Sequence, residues 1–275
     1  DGVRSGFDQV VIEGEFKASL QRLNPDLDEV ALADAYSQVL DLSSNDVMTN
    51  NEQFHNMLTS GVTIEVFENG QSVGKQVELV DFNDIQNNNF WVVNHFVIKE
   101  NNQSKRLDVI LFVNGLPLVV IELKSATSEK ATLERAYTQI QNYKTAIPSI
   151  FYYNALCVIS DGLDARTSSI SAPFSRFLVW KSPEKSENGL LPELQILAER
   201  LLNKSALLKV IRFNTVFESE EVKDEKTGLL QQVKIKKIAA YHQYYVVEKA
   251  IASTLRALSD NKVADEVREA PESYG

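Results

Sequence analysis

The sequence predicts an α/β domain, a mixed sheet flanked by helices and preceded by a helical segment. Three observations carry that reading. Apolar residues recur at helical spacing through about the first sixty positions. From Val62 the period drops to two, and strand-like runs follow one another. A helical stretch near 133–144 then precedes another continuous apolar run, 155–160.

In chain order, a helix over 15–23 puts Phe16, Leu20 and Leu23 on one face and stops at Asn24-Pro25, because proline cannot continue it. A second, 27–40, carries Val30, Ala33 and Val39. A third, about 50–59, ends before Gly61, a left-handed cap. Strands are expected at 62–67, 77–80, 90–98, 107–113, 116–123, 155–160 and 177–180, with Asn69-Gly70 a hairpin turn. Helices should follow at 193–202 and 206–212. The charged stretch 214–237 reads as a linker or exposed hairpin, a helix runs from Tyr241 to about Leu258, and the polar 259–275 reads as a flexible tail.

Composition narrows the function classes. Of 275 residues 44% are hydrophobic and 24% charged, enough apolar surface for a core. A single Cys157 excludes a disulfide framework or thiolate zinc site, and its apolar surroundings mark it as a core residue. Three histidines exclude a multi-histidine metal centre. No apolar run is long enough for a membrane span and no signal core is visible, which makes the cytoplasm the default. The net charge of −10 is unevenly placed. Residues 1–100 hold 5 basic and 17 acidic side chains (−12), 101–258 hold 21 and 16 (+5), and 259–275 hold 2 and 5 (−3).

The net-basic stretch contains the chemistry. Asp108 and Glu122 are isolated acids in two apolar strand-like runs, and such charges are costly to bury unless paired or metal-bound. Period-2 alternation puts Glu122 and Lys124 on one face, with Leu123 turned the other way, into the core. Two carboxylates and an amine suit metal-assisted phosphodiester hydrolysis, with Mg²⁺ on hard oxygen ligands and the lysine orienting water or stabilising charge. One conflict stands in the pattern. A regular two-residue hairpin at Asn114-Gly115 would set Asp108 opposite Ile121, on the wrong face. The reading therefore requires an odd loop or a bulge between the two acids. In the next helix Gln139 and Tyr143 are four apart and share a face that could look toward the Glu122–Lys124 strand end.

Together, Asp108…Glu122-Leu-Lys124 and Gln139-x₃-Tyr143 resemble the PD-(D/E)xK nuclease signature with its Q-x₃-Y helix. More widely, residues 10–258 resemble the N-terminal region of the motor (restriction) subunit of type I restriction-modification enzymes. The resemblance rests on Leu-Asn-Pro at 23–25, Leu-Val-Asp-Phe at 79–82, Asn-Phe-Trp-Val-Val-Asn at 89–94, 106–125, 139–144, Ile-Pro-Ser-Ile-Phe at 147–151, Ile-Ser-Asp-Gly at 159–162 and Ala-Tyr-His-Gln-Tyr-Tyr at 240–245. It implies a restriction-endonuclease-like fold and a Mg²⁺-dependent endonuclease acting on double-stranded DNA after an ATP-driven motor has translocated it. It also implies methylation and specificity subunits as partners. Asp108, Glu122 and the Leu123 carbonyl would be metal ligands and Lys124 the catalytic lysine. Gln139 and Tyr143 would support the site or touch DNA. The family's further metal-site glutamate belongs to a helix upstream of this chain, and Glu13 and Glu15 are weak substitutes. Asp81 reads as structural, and His95, where the family pattern has Gln, as packing.

The implied organisation is an endonuclease domain over 1–213, divided into a helical segment over 1–60, a nuclease core over 61–182 and helices over 190–213. A linker and the truncated start of a helicase domain follow over 214–275. No phosphate loop is present. Gly70–Gln76 has three residues between its glycines where four are needed, and reads as a turn. Gln243 resembles the adenine-reading glutamine of superfamily 2 motors, so ATP is expected only with the motor of a longer protein. The alternative is a non-catalytic, nuclease-like docking module on DNA or the motor. The acidic total predicts weak, salt-sensitive DNA binding by this chain.

Overall fold

Three helices open the chain. The computed structural model describes residues 4–68, 70–125, 132–184, 188–223 and 228–268. Helix α1 spans Glu13–Leu23, α2 Glu29–Leu40 and α3 Val47–Ser60. Asp28 and Asp46 cap α2 and α3 by accepting from Ala31 N and Thr49 N, and α3 stops at Gly61 with φ 84°. The buried face of α2 is Ala31, Ala35 and Val39. Val30, expected inside, is 78% exposed.

Strands β1 (Val62–Glu68) and β2 (Gln71–Val77) form a separate two-stranded hairpin; Asn69 of its expected turn lies outside the described residues. The run expected as a strand at 77–80 leaves the ladder after Val77, although Leu79 and Val80 are buried. Side chains replace the missing strand partner. Asn24 donates to Glu78 O and accepts from Glu78 N, and Asn114 donates to Leu79 O. Most of the glycine-spaced 70–76 segment is β2 itself and not a turn.

The central sheet has the order β3 (Phe90–Glu100), β4 (Gln103–Val113), β5 (Leu116–Leu123), β6 (Leu156–Ser160), β7 (Ala165–Ser168). All neighbours are antiparallel except β5 and β6, whose parallel pairing requires a crossover. Helix α4 (Leu133–Ala146) and the short α5 (Ser149–Tyr152) supply it. β5 and β6 are buried through to Glu122 and Ser160, as strands paired on both edges and covered on both faces should be. β7 was not expected from its polar sequence, while 177–180 contributes a single bridge, Leu178 to Thr167, in place of a strand. Helices α6 (Glu193–Arg200) and α7 (Lys204–Phe213) follow.

The charged stretch is an antiparallel hairpin, β8 (Thr215–Lys223) and β9 (Leu230–Ile238). It belongs to the first compact unit, which runs to Ile238, so that unit extends past the expected boundary at 213. Its anchor is Lys236, 2% exposed, whose ammonium donates to Asn154 O (2.8 Å) and Asn51 Oδ1 (3.1 Å) while Ser169 and Ser171 bond its backbone. Burial lowers the Lys236 pKa to about 7. The second unit, from Ala239, contains helix α8 (Tyr241–Arg268), longer than expected; of the expected tail only 259–268 is described, and it is helical. Among the described residues no helix is long and apolar enough to cross a membrane.

Asn114 and Gly115 join β4 to β5 with φ of 52° and 81°, the left-handed pair of a tight hairpin turn. The Asn114 side chain is fully buried. It accepts from Asn89 N and Arg22 and donates to Leu79 O and Asn88 Oδ1. Gly115 O accepts from Ile12 N, and a Cβ on Gly115 would lie 2.7 Å from Ile12 O. Removing the Asn114 amide orphans several buried groups at once. Asn114→Ala should therefore lower stability by roughly 2–4 kcal/mol in urea unfolding; a loss under about 1 kcal/mol would show that water replaces the network.

Candidate active site

The β4–β5 ladder contains the irregularity that the two acids require. From the turn, Val113 pairs with Leu116 and Phe112 with Pro117, but Leu111 pairs with Val119, so Leu118 is an extra residue on β5. Proline has no N–H to give a ladder and is tolerated in an inner strand only at such a bulge. Beyond it the pairs run Ile110–Val120 and Val109–Ile121. The next position sets Asp108 against Glu122, on one face.

Their contacts fit that register. Leu123 N donates to Asp108 Oδ2 at 2.9 Å. In a strand a residue's N–H and C=O leave by the same edge, so the Leu123 carbonyl also opens toward β4. Lys124 N is bonded to Ser160 O on the other side, and Lys124 Nζ meets Glu122 Oε1 at 2.5 Å. The Leu123 side chain, expected in the core, is 37% exposed, because β5 runs out of cover at its end.

Helix α4 completes the cluster. Thr132 caps its start, accepting from Arg135 N. Tyr143 is buried and its hydroxyl donates to Arg106 O at 3.1 Å, with Glu122 and Gln139 close beside it. Burial, and then the Glu122 charge, push the Tyr143 phenol well above its ordinary value. Glu122 is 2% exposed, and desolvation raises its pKa despite the opposing bond from Lys124; the Asp108 charge adds to the rise.

One observation bears on a metal. Glu122 Oε2 is buried and has no hydrogen-bond partner, whereas Oε1 is taken by Lys124. An orphaned carboxylate oxygen beside a second carboxylate and a strand-end carbonyl is a donor set of hard oxygens, which fits Mg²⁺. Among the described residues no group of three or more His, Cys, Asp or Glu comes together. Glu13 and Glu15 are engaged elsewhere, with Gln9 and Lys17 and with Ser19 and Asn89, on the helix that packs at the turn end of the hairpin.

Other singled-out residues fall outside the cluster. Asp81 caps a loop by accepting from Asn83 N, Asp84 N and Asn87. Cys157 is fully buried, its thiol pushed up to about 12. Gln243 lies in the second unit and accepts from Ala240 N. His95 is not a packing residue. It is exposed and left-handed, with φ 54°, between the pairs Asn94–Val109 and Phe96–Leu107. Val92 and Asn94 are exposed before it, Phe96 and Ile98 buried after it, so β3 changes its buried face there. The row through Asp108 and Glu122 continues to Ile159 and Arg166, which sequence reasoning passed over because β7 is short and polar.

Residues 1–176 match the family model described as Type I restriction enzyme R protein N terminus. The chain is 40% identical over 94% of its length to the type I restriction enzyme HindI endonuclease subunit of Haemophilus influenzae, covering 24% of that protein. It is 28% identical over 93% of its length to a MjaIXP type I endonuclease-subunit relative from Methanocaldococcus jannaschii, covering 25% of it. Over 57% of its length it is 32% identical to the EcoprrI endonuclease subunit of Escherichia coli, covering 50% of that sequence. The chain thus spans about a quarter of the length of the first two.

The raised Glu122 pKa makes a stability prediction. A carboxyl whose folded pKa exceeds its unfolded one contributes stability below the unfolded value, near 4.5, and loses it as pH rises through the folded value. Glu122→Gln does not titrate. It should gain stability over wild type as pH rises from about 4.5 to neutrality, in urea unfolding at several pH values. A variant less stable at neutral pH than at pH 4.5, relative to wild type, would reverse the sign.

Proposed function

The chain belongs to the family of the type I restriction enzyme R protein N terminus, and on that premise we propose that it is a Mg²⁺-dependent DNA endonuclease module with a PD-(D/E)xK nuclease fold. The convergence of Asp108, Glu122 and Lys124 beyond the β-bulge carries the reading. The names of the relatives, endonuclease subunits, support it.

In this reading Asp108 and Glu122 hold Mg²⁺ through carboxylate oxygens, with the Leu123 carbonyl as a third donor. Bound Mg²⁺ supplies activation of water and screening of the phosphoryl oxygens. Lys124, kept at the site by Glu122, donates to the attacking water or to a phosphoryl oxygen. It offsets the negative charge that grows as water's oxygen bonds to phosphorus and the bond to the leaving oxygen breaks. Tyr143, held by its bond to Arg106 O, walls the Glu122 carboxylate from behind, with Gln139 beside it. In the longer protein, cutting follows ATP-driven translocation by motor domains, Gln243 reads the adenine there, and separate subunits choose and methylate the target.

A second reading, a non-catalytic module on DNA or the motor, draws on the fact that only two carboxylates meet among the described residues. Metal binding separates the two. Calorimetric titration of Mn²⁺ should give an affinity at least tenfold weaker for Asp108→Ala than for wild type; equal affinities would favour the non-catalytic module. In a full-length subunit, Lys124→Ala should reduce plasmid cleavage by on the order of 10²-fold or more and leave ATP hydrolysis intact. Loss of both activities would mean a structural role for Lys124.

A further inference from the structure

The cross-sheet row that joins the two acids ends on a cation that nothing in the proposed chemistry has used. Glu122 pairs with Ile159 across β5–β6, and Ile159 pairs with Arg166 across β6–β7. Residues in register on neighbouring strands share a face, so Arg166 stands on the face of Asp108 and Glu122. Two strand spacings, roughly 10 Å, separate the Glu122 and Arg166 backbones. β7 is the last strand of the sheet, its outer edge bridged to Leu178 at Thr167 and the Arg166 side chain half-buried on the face of the row.

Arg166 lacks the partners such a position demands. It is half-buried, its Nε is buried with no hydrogen-bond partner, and among the described residues no carboxylate pairs with it. The nearest acid in the row, Glu122, is already held by Lys124. What Arg166 does have is a ring. Its guanidinium carbon lies 5.7 Å from the centroid of Phe174, which is packed against Tyr137 of α4. A cation–π contact steadies a guanidinium without using its N–H donors. A partly desolvated guanidinium with idle donors is costly unless an anion completes it.

We infer that Arg166 clamps a DNA backbone phosphate neighbouring the one that is cut. The inference rests on the nuclease reading of the Asp108–Glu122–Lys124 cluster. The guanidinium fork matches two phosphate oxygens at once, and a polynucleotide is an anion that presents phosphates at regular intervals along one row. Arg166 is thus a positioning residue. It sets where the strand lies beside the sheet, past the buried Ile159, and through that which phosphorus reaches Lys124.

The test uses the 275-residue chain, a fluorescent DNA duplex and Ca²⁺, read by anisotropy over a range of low salt concentrations. Arg166→Gln should weaken duplex binding about fivefold or more and flatten the slope of log K against log salt by about 0.9, one phosphate contact. Arg166→Lys, which keeps charge but not the fork, should keep the slope and lose some of the affinity. Both variants should melt no lower than wild type and bind Mn²⁺ as wild type does without DNA. Wild-type affinity and slope in Arg166→Gln would overturn the assignment, as would lost Mn²⁺ binding or a lowered melting point, since either would mark a structural role. Absence of duplex binding by wild type at the lowest salt would overturn it too. A second arm replaces duplex with ATP: Arg166-dependent binding seen there but not with duplex would refute the DNA assignment. The nuclease reading itself fails by a different sign, equal Mn²⁺ affinity of wild type and Asp108→Ala, whatever Arg166 does.

Discussion

Everything at the candidate site depends on a hydrogen bond that cannot be made. Pro117 sits in a strand paired on both edges, without an N–H to donate. The ladder accommodates it by giving β5 one residue more than β4, and Leu118 is the surplus. Because strand side chains alternate, that one residue shifts every later position of β5 by a face relative to β4. Without it Asp108 would oppose Ile121. With it the two carboxylates face each other, Leu123 N reaches Asp108, and Lys124 reaches Glu122.

The arrangement is held at cost. Glu122 is almost wholly buried and keeps one oxygen unpartnered, and Tyr143 is buried beside a charge that opposes its ionisation. The opposite end of the same hairpin is where the structure is most fully satisfied. Asn114 bonds four groups, and Gly115 lets α1 approach its backbone directly. A saturated turn at one end lets the strands carry an unpartnered carboxylate oxygen at the other.

Much of this was legible in the chain. Asp108, Glu122 and Lys124 stood out because charges in apolar runs need a reason, and the face conflict between them called for an odd loop or a bulge; that the bulge falls beside Pro117 only the ladder shows. The helices were legible through spacing and caps. What escaped was set by long-range side-chain bonding or backbone conformation. Residues 78–80 are apolar yet leave the ladder because Asn24 and Asn114, distant in sequence, stand in for a strand. The left-handed His95 inverts the buried face of β3, which no alternation pattern announces. β7 is four residues with a polar composition, and only its register gives Arg166 meaning.

Lys236 has a mechanical side. Thr215 and Ile238 are the first pair of the β8–β9 ladder, and Ile238 is the last residue of the first unit. Two residues in from that end, Lys236 ties the ladder to Asn51 and Asn154 inside the body. The hairpin is therefore fastened to the body close to where the first unit ends, and its charged outer rungs project beyond that fastening.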